Sequence, residues 1–233
     1  MSTAITFTWA GFRRGAWRGA PLLLGTIPFG LVCGIVAQGA GLSLGETLLM
    51  SGGLYAGAAQ LVALSHWGDP VSVLTVSVAA FVVNLRLALM GPVLAPWLER
   101  LRGWRLWGTL FVLADQNWAL SVRDMNEGGR DAAFLAGTGF TMWLVWLITS
   151  GIGFVLGAAV RPPPGHPIFF ASTAVFVAMI AFNWRGARDL LPWGVAGGVA
   201  LLFWWLLPGT FWYIVAGAVA GSLAGALRDR GAA

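Results

Sequence analysis

Charge is scarce in this chain, and so are the residues that usually carry catalytic chemistry. Only 10% of its 233 residues are charged, against about 25% in a typical soluble domain. Too few charges remain to clothe a water-facing surface, so lipid is the solvent for most of it. Lysine is absent, and the 14 basic residues are all arginine. Without a lysine there is no Gly-x-x-x-x-Gly-Lys phosphate loop, which excludes a P-loop nucleotidase. One cysteine, Cys33, excludes an internal disulfide, and no cluster of metal ligands exists, so neither a metal nor a cofactor is expected. The two histidines, His66 and His166, both fall near loops with no partner in sequence.

What is abundant points the same way. Hydrophobic residues make up 58% of the chain and the mean hydropathy is +0.78. The 33 glycines suit close helix–helix approach in a bilayer. The 14 tryptophans suit headgroup depth; Trp9, Trp17, Trp67, Trp97, Trp104, Trp107, Trp184, Trp204, Trp205 and Trp212 fall at or near the ends of apolar runs, as an aromatic belt does. The net charge of +5 would suggest nucleic acid in a soluble protein. Here the arginines lie between apolar runs, so they set orientation in the membrane and no nucleic-acid partner is expected.

Runs long enough to span a bilayer lie near 20–38, 44–66, 70–97, 104–122, 133–159, 167–183, 190–207 and 210–227. The expected fold is therefore all-α: one polytopic membrane domain over 1–233, with about eight transmembrane helices, a cytoplasmic segment 1–19 and a cytoplasmic tail 228–233. The first run follows Arg13, Arg14 and Arg18, but it is too long for a signal-peptide core and reads as a true span. Ser43-Leu44-Gly45-Glu46 reads as a capping box opening the second run.

With eight spans and the N-terminus inside, nine arginines (13, 14, 18, 123, 130, 185, 188, 228 and 230) lie inside and four (100, 102, 105 and 161) outside. The cluster at 100–105 works against this orientation. If one of the first three runs were re-entrant, that cluster would move inside but the split would become seven to six, so eight spans are preferred.

Three consecutive runs look interrupted. The first holds Gly25-Thr26-Ile27-Pro28-Phe29-Gly30, the second Ser51 to Gln60 with three glycines, and the third Asn84-Leu85-Arg86 with Gly91-Pro92 beyond. Broken helices at mid-membrane are a transporter device, because freed amides bind a carboxylate and freed carbonyls a cation. The bland alternative is a set of kinked small-residue packing faces. Two charges lie deep, Arg86 and Asp115. Each is 11 residues from the tryptophan at the outer end of its run, Trp97 or Trp104, which puts both about 16 Å below the outer surface. An ion pair or shared cavity between them on antiparallel neighbours is expected. Gln60, Asn84, Gln116 and Asn117 lie at a similar level and should face the bundle interior. A faint repeat joins Asn84-Leu85-Arg86 to Asn183-Trp184-Arg185.

The series Pro28-Phe29-Gly30, Ser51, Tyr55-Ala56-Gly57-Ala58-Ala59-Gln60, Asn84-Leu85-Arg86 and Leu113-Ala114-Asp115 resembles the AzlC-type branched-chain amino acid permeases over about the first 120 residues. The resemblance implies export of branched-chain or related apolar amino acids across the inner membrane, with a small, separately encoded AzlD-type membrane subunit as partner; the arginine count puts both termini in the cytoplasm. It implicates Pro28, Gly30, Ser51, Gly57, Gln60, Asn84, Arg86 and Asp115 in substrate binding or gating, and Phe29, Tyr55 and Gln116 beside them complete the candidate set. The chain departs from the family pattern at Gln116, where a glutamate is frequent, and in the stretch 168–174, which lacks an acidic residue and a proline. Two other readings are a non-transporting assembly subunit and an intramembrane serine hydrolase on Ser51 or Ser150. The hydrolase needs a base within reach of the serine, and neither histidine lies at depth.

Overall fold

The computed structural model describes residues 5–65, 67, 73–160, 177, 181, 184, 186–208 and 212–231. The chain divides into two compact units, Met1–Ser172 and Thr173–Ala233. Among the described residues there is no β-strand, only one isolated bridge between Thr6 and Asp131.

The first unit is built on one pair of helices. Helix α1 (Trp9–Gly19) runs through a 3₁₀ turn (Ala20–Leu22) into α2 (Leu23–Gly39). Beside them lies α9 (Ala133–Val160). Their contacts rise together: Gly15 meets Phe134, Gly19 meets Thr138, Gly30 meets Thr149, and Gly34 meets Ser150 and Phe154. The two long helices are therefore parallel. Glycine makes this possible. A Cβ on Gly15 would strike the Phe134 carbonyl, one on Gly137 the Phe12 carbonyl, one on Gly34 the Ser150 carbonyl, and one on Gly153 the Leu31 carbonyl. Both helices start from a shared polar latch. Thr8 caps α1 by accepting from the Gly11 amide at 3.0 Å, Asp131 accepts from the Ala133 amide at 3.1 Å, and the Thr8 hydroxyl donates to Asp131. This end is called the latch end below.

Between α2 and α9 the chain makes a hairpin, a crossing helix and a second hairpin. The capping box forms as expected: Ser43 accepts from the Glu46 amide and Glu46 accepts from the Ser43 amide at 2.7 Å. Those bonds hold the exposed Glu46 carboxyl below its ordinary pKa. Helix α3 (Leu44–Leu54) ends at Tyr55, whose φ of 40° is left-handed, and α4 (Gly57–Ser65) leaves in another direction. Leu64, at the end of α4, packs with Ala37 and Leu42, which lie before the start of α3, and Trp67 joins them. The run 44–66 thus returns to the end from which it began. It is a hairpin and not the span expected from hydropathy.

Helix α5 (Val73–Met90) then passes the α4 arm. It continues through a 3₁₀ turn (Gly91–Leu94) at Gly91-Pro92 into the short α6 (Ala95–Leu98) at the latch end. Trp97, expected in the aromatic belt, is fully buried there and donates to the Gly129 carbonyl at 3.2 Å.

The second hairpin is α7 (Trp104–Phe111) and α8 (Asp115–Asn126). Trp104 stacks edge-on with Phe7 at 6.1 Å, and Asp124 pairs with Arg14 at 2.7 Å, so both feet stand at the latch end. The run 104–122 is likewise no span. Lengths explain both corrections. Helices of 11, 9, 8 and 12 residues rise about 12–18 Å, roughly half of a 30 Å hydrocarbon core.

The first interruption also falls elsewhere than expected. Helix α2 is unbroken through Pro28, which points to the exposed face, and the irregular turn comes earlier, at Ala20–Leu22 with Pro21.

In the second unit a 3₁₀ turn (Ala187–Asp189) precedes α10 (Leu190–Leu206), which packs against α11 (Trp212–Gly231) through Gly217 and Gly221. Among the described residues, three helical stretches are long and apolar enough to cross a membrane: Trp9–Gly39, Ala133–Ala159 and Ala187–Leu206. Their exposed faces carry large apolar residues such as Leu24, Leu156 and Trp205, as lipid-facing helices do. Among the described residues, two of the eight expected runs turn back as hairpins.

Candidate functional site

The hairpins enter from opposite ends of the first unit and stop near the middle of α9. Gly52 and Gly57 of the first reach Trp143 and Trp146, and Phe111 and Val112 of the second reach Trp143 and Gly139. Trp143 touches both tips: its indole N–H donates to the Gly52 carbonyl at 3.0 Å and its ring lies 6.3 Å from that of Phe111.

The first tip is braced from inside. Gln60 is 2% exposed; its amide N–H donates to the Ser51 hydroxyl at 3.0 Å, and its oxygen accepts from the Trp146 indole at 3.1 Å. One side chain therefore joins both arms of the hairpin to α9. Phe29 meets Trp146 edge-on at 5.4 Å, and a Cβ at Gly57 would fall 2.6 Å from the Trp146 ring and 2.8 Å from that of Phe29. Only glycine fits between those rings. Tyr55 occupies the left-handed position that ends α3, where glycine is usual, at a cost on the order of 1–2 kcal/mol. The first-turn amides of α4 point toward mid-depth with the positive end of that helix's dipole.

The second tip has no glycine or proline. Its break, Val112-Leu113-Ala114, is held by Asn117, which is fully buried. The Asn117 oxygen accepts from the Ala114 amide at 2.8 Å, and its amide donates to the Val112 carbonyl at 2.6 Å. The chain is free to break here because one side chain replaces two lost backbone bonds. Asn117→Ala removes both bonds from a buried site and should cost about 2–6 kcal/mol, at roughly 1–3 kcal/mol for each stranded group. A lower thermal midpoint of the purified protein would register it; an unchanged midpoint would mean the break holds without the side chain.

Asp115 is the first residue of α8, not the middle of a span as expected, and its carboxylate sits where the dipole favours an anion. The Arg86 side chain, and with it the expected Arg86–Asp115 pair, lies outside the described residues. The backbone register is described. Trp118 donates to the Met90 carbonyl at 3.0 Å, so positions 86 and 115, each about one turn earlier on parallel α5 and α8, stand at one level. Their depth is measured from the latch end, where Trp97 and Trp104 both lie. The sequence reading placed that end on the opposite face from the N-terminus.

The structure gathers Phe29, Ser51, Tyr55, Gly57, Gln60, Asn84 and Asp115 around the two tips. Asn84 adds a polar atom: its Oδ1 is buried and accepts no hydrogen bond among the described residues. Ala80 and Val83, in the turn before it, pack on Ala56 of the first tip. Pro28 and Gln116 point outward instead, and Gly30 packs on Thr149 as part of the helix pair. His66, His166, the stretch 168–174 and Asn183 lie outside the described residues. Sequence reasoning missed Trp143, Trp146 and the Arg14–Asp124 ion pair, whose carboxylate side chain is 7% exposed. A signal did exist for Asn117, three residues after a break and able to reach back to the Ala114 amide.

Comparison with known proteins places the chain among membrane proteins. The chain is 26% identical to an uncharacterized membrane protein of Archaeoglobus fulgidus over 216 residues, covering 92% of this chain and 94% of that one. It is 24% identical to the inner membrane protein YgaZ of Escherichia coli over 225 residues, covering 92% and 89%. No solved structure matches. A family model described as AzlC protein matches residues 21–160, which takes in α2, α9 and both hairpins. The chain is a membrane protein and belongs to the AzlC family.

Proposed function

We propose that this chain is the larger subunit of an inner-membrane transporter that exports branched-chain or related apolar amino acids, working with a small AzlD-type membrane subunit. The observation that carries the reading is the pair of hairpins that enter from opposite ends and stop at mid-depth. Such discontinuous elements place helix termini where a zwitterion can be held without water. The substrate carboxylate lies at the α4 N-terminus. The ammonium lies toward Asn84 Oδ1 and the level of Asp115. Aromatic residues at the first tip, Phe29 among them, face the aliphatic side chain.

Orientation follows from arginine. Arg13, Arg14, Arg18, Arg100, Arg102, Arg105, Arg123 and Arg130 all belong to the latch end of the first unit, which makes that end and the N-terminus cytoplasmic. The 100–105 cluster, the exception under an eight-span reading, is then no exception.

Counterflow of labelled leucine or valine in proteoliposomes, with and without the small subunit, tests the proposal. Exchange is expected only with both subunits, falling about tenfold or more in Arg86→Ala and Asp115→Asn. Full exchange in both variants would remove these residues from the mechanism, and no exchange by folded wild-type complex would remove the substrate.

A further inference from the structure

We propose that the latch end holds a binding site for the headgroup of an anionic phospholipid, formed by Arg100, Arg102 and Arg105. The loop 99–103 joins α6 to α7 at this end, and Gly103, at φ 55°, turns it back on itself. The N-terminal segment Ile5–Phe7 closes the other side. Between them is a cavity of about 450 Å³ lined by the three arginines with Phe7 and Trp104. The Arg105 guanidinium lies 5.4 Å from the Phe7 ring centroid and 5.9 Å from that of Trp104, so two aromatic faces fix its position.

Charge balance distinguishes this cluster from two other arginines of the same end. Arg14 pairs with Asp124 at 2.7 Å and Arg123 with Glu127 at 2.8 Å. Among the described residues no carboxylate lies within 4 Å of Arg100, Arg102 or Arg105. Three cations therefore line one cavity whose described lining has no carboxylate. Depth names the anion. Trp104 and Trp107, 74% and 70% exposed on one side of α7, have the character of interfacial tryptophans, while Leu106 and Leu110 pack inward. A cavity at that depth meets lipid phosphates. Basic pockets at the cytoplasmic ends of helices recognise such headgroups, and arginine suits phosphate through its paired N–H groups. The site lies at the feet of the second hairpin and does not depend on the transport reading.

Native mass spectrometry of the full chain, released from mixed phosphatidylglycerol and phosphatidylcholine, tests the site. Wild type should retain phosphatidylglycerol with about tenfold preference, and retention should fall as salt is raised. Arg102→Gln with Arg105→Gln should abolish most of the preference, while Arg123→Gln, an arginine already paired, should keep it. If the double glutamine variant does not fold, the double lysine variant and the salt dependence decide. Preference that resists salt, survives loss of the two arginines, or appears equally for phosphatidylcholine overturns the proposal. So does equal thermal stabilisation by inorganic phosphate at matched concentration, which would make this a soluble-anion site.

Discussion

Cysteines placed at the two feet of one hairpin should react from the same side of the membrane. Cys33 is the one cysteine and is buried, so Cys33→Ala supplies a background with no thiol. Gly45 and Ser65 are exposed at the feet of the first hairpin, and Arg102 and Asn126 at the feet of the second. In cells whose outer face is accessible, an impermeant maleimide should label Gly45→Cys and Ser65→Cys without permeabilisation. Arg102→Cys and Asn126→Cys should label only after it. The contrast is all or none. If both runs crossed, each pair would split, with 45 and 102 outside and 65 and 126 inside. Opposite labelling within a pair would mean that the hairpins are not the membrane-embedded state, and the proposed mid-depth site would go with them.

The second large effect concerns the helix pair. In lipid, helices gain little from burying apolar surface against each other, since the tails are equally apolar. Association rests on close packing. At Gly34 the obstacle to a side chain is the backbone carbonyl of Ser150, which cannot rotate away as a side chain does. Gly34→Ala should therefore push α2 from α9 and destabilise the protein by about 1–3 kcal/mol. Gly34→Leu should leave no folded monodisperse protein. Gly25 is the internal control. It lies on the same helix with no atom within 4 Å of its would-be Cβ. Gly25→Ala should be neutral or stabilising by up to about 1 kcal/mol, because alanine favours the helix. Thermal midpoints in detergent give the comparison. Equal behaviour at 25 and 34 would show that contact with α9 does not hold the unit together.

The two predictions rest on different parts of the sequence, and those parts were not equally legible. Membrane character came directly from composition, since 10% charge leaves no other solvent. The capping box at Ser43 and Glu46 was legible because its bonds run between residues three apart. The break inside 51–60 was legible because its glycines weaken a helix wherever it lies. The family was legible from short motifs around what became the first tip, α5 and the start of α8. Pro28 misled because proline removes one backbone bond, a loss that a helix packed along Gly30 and Gly34 tolerates.

What the sequence could not determine was direction. A run that crosses and a run that turns back are both apolar, so hydropathy scores them alike. The outcome depends on Leu64 meeting Leu42 and on Asp124 meeting Arg14, contacts between residues 22 and 110 positions apart. The second break escaped notice because it has no glycine or proline, only Asn117 folding back on the Ala114 amide. Two turned-back runs cancel in the parity of crossings, so α9 runs parallel to α1 and α2 with either three crossings or one between them. That is why arginine counting set the 100–105 cluster on the opposite side from the N-terminal segment, whereas the fold puts both at one end. The sequence by itself determined the solvent, the helices and the family. Only tertiary contact decided which helices cross and which meet at mid-depth, because that choice lies in long-range packing that local hydrophobicity does not encode.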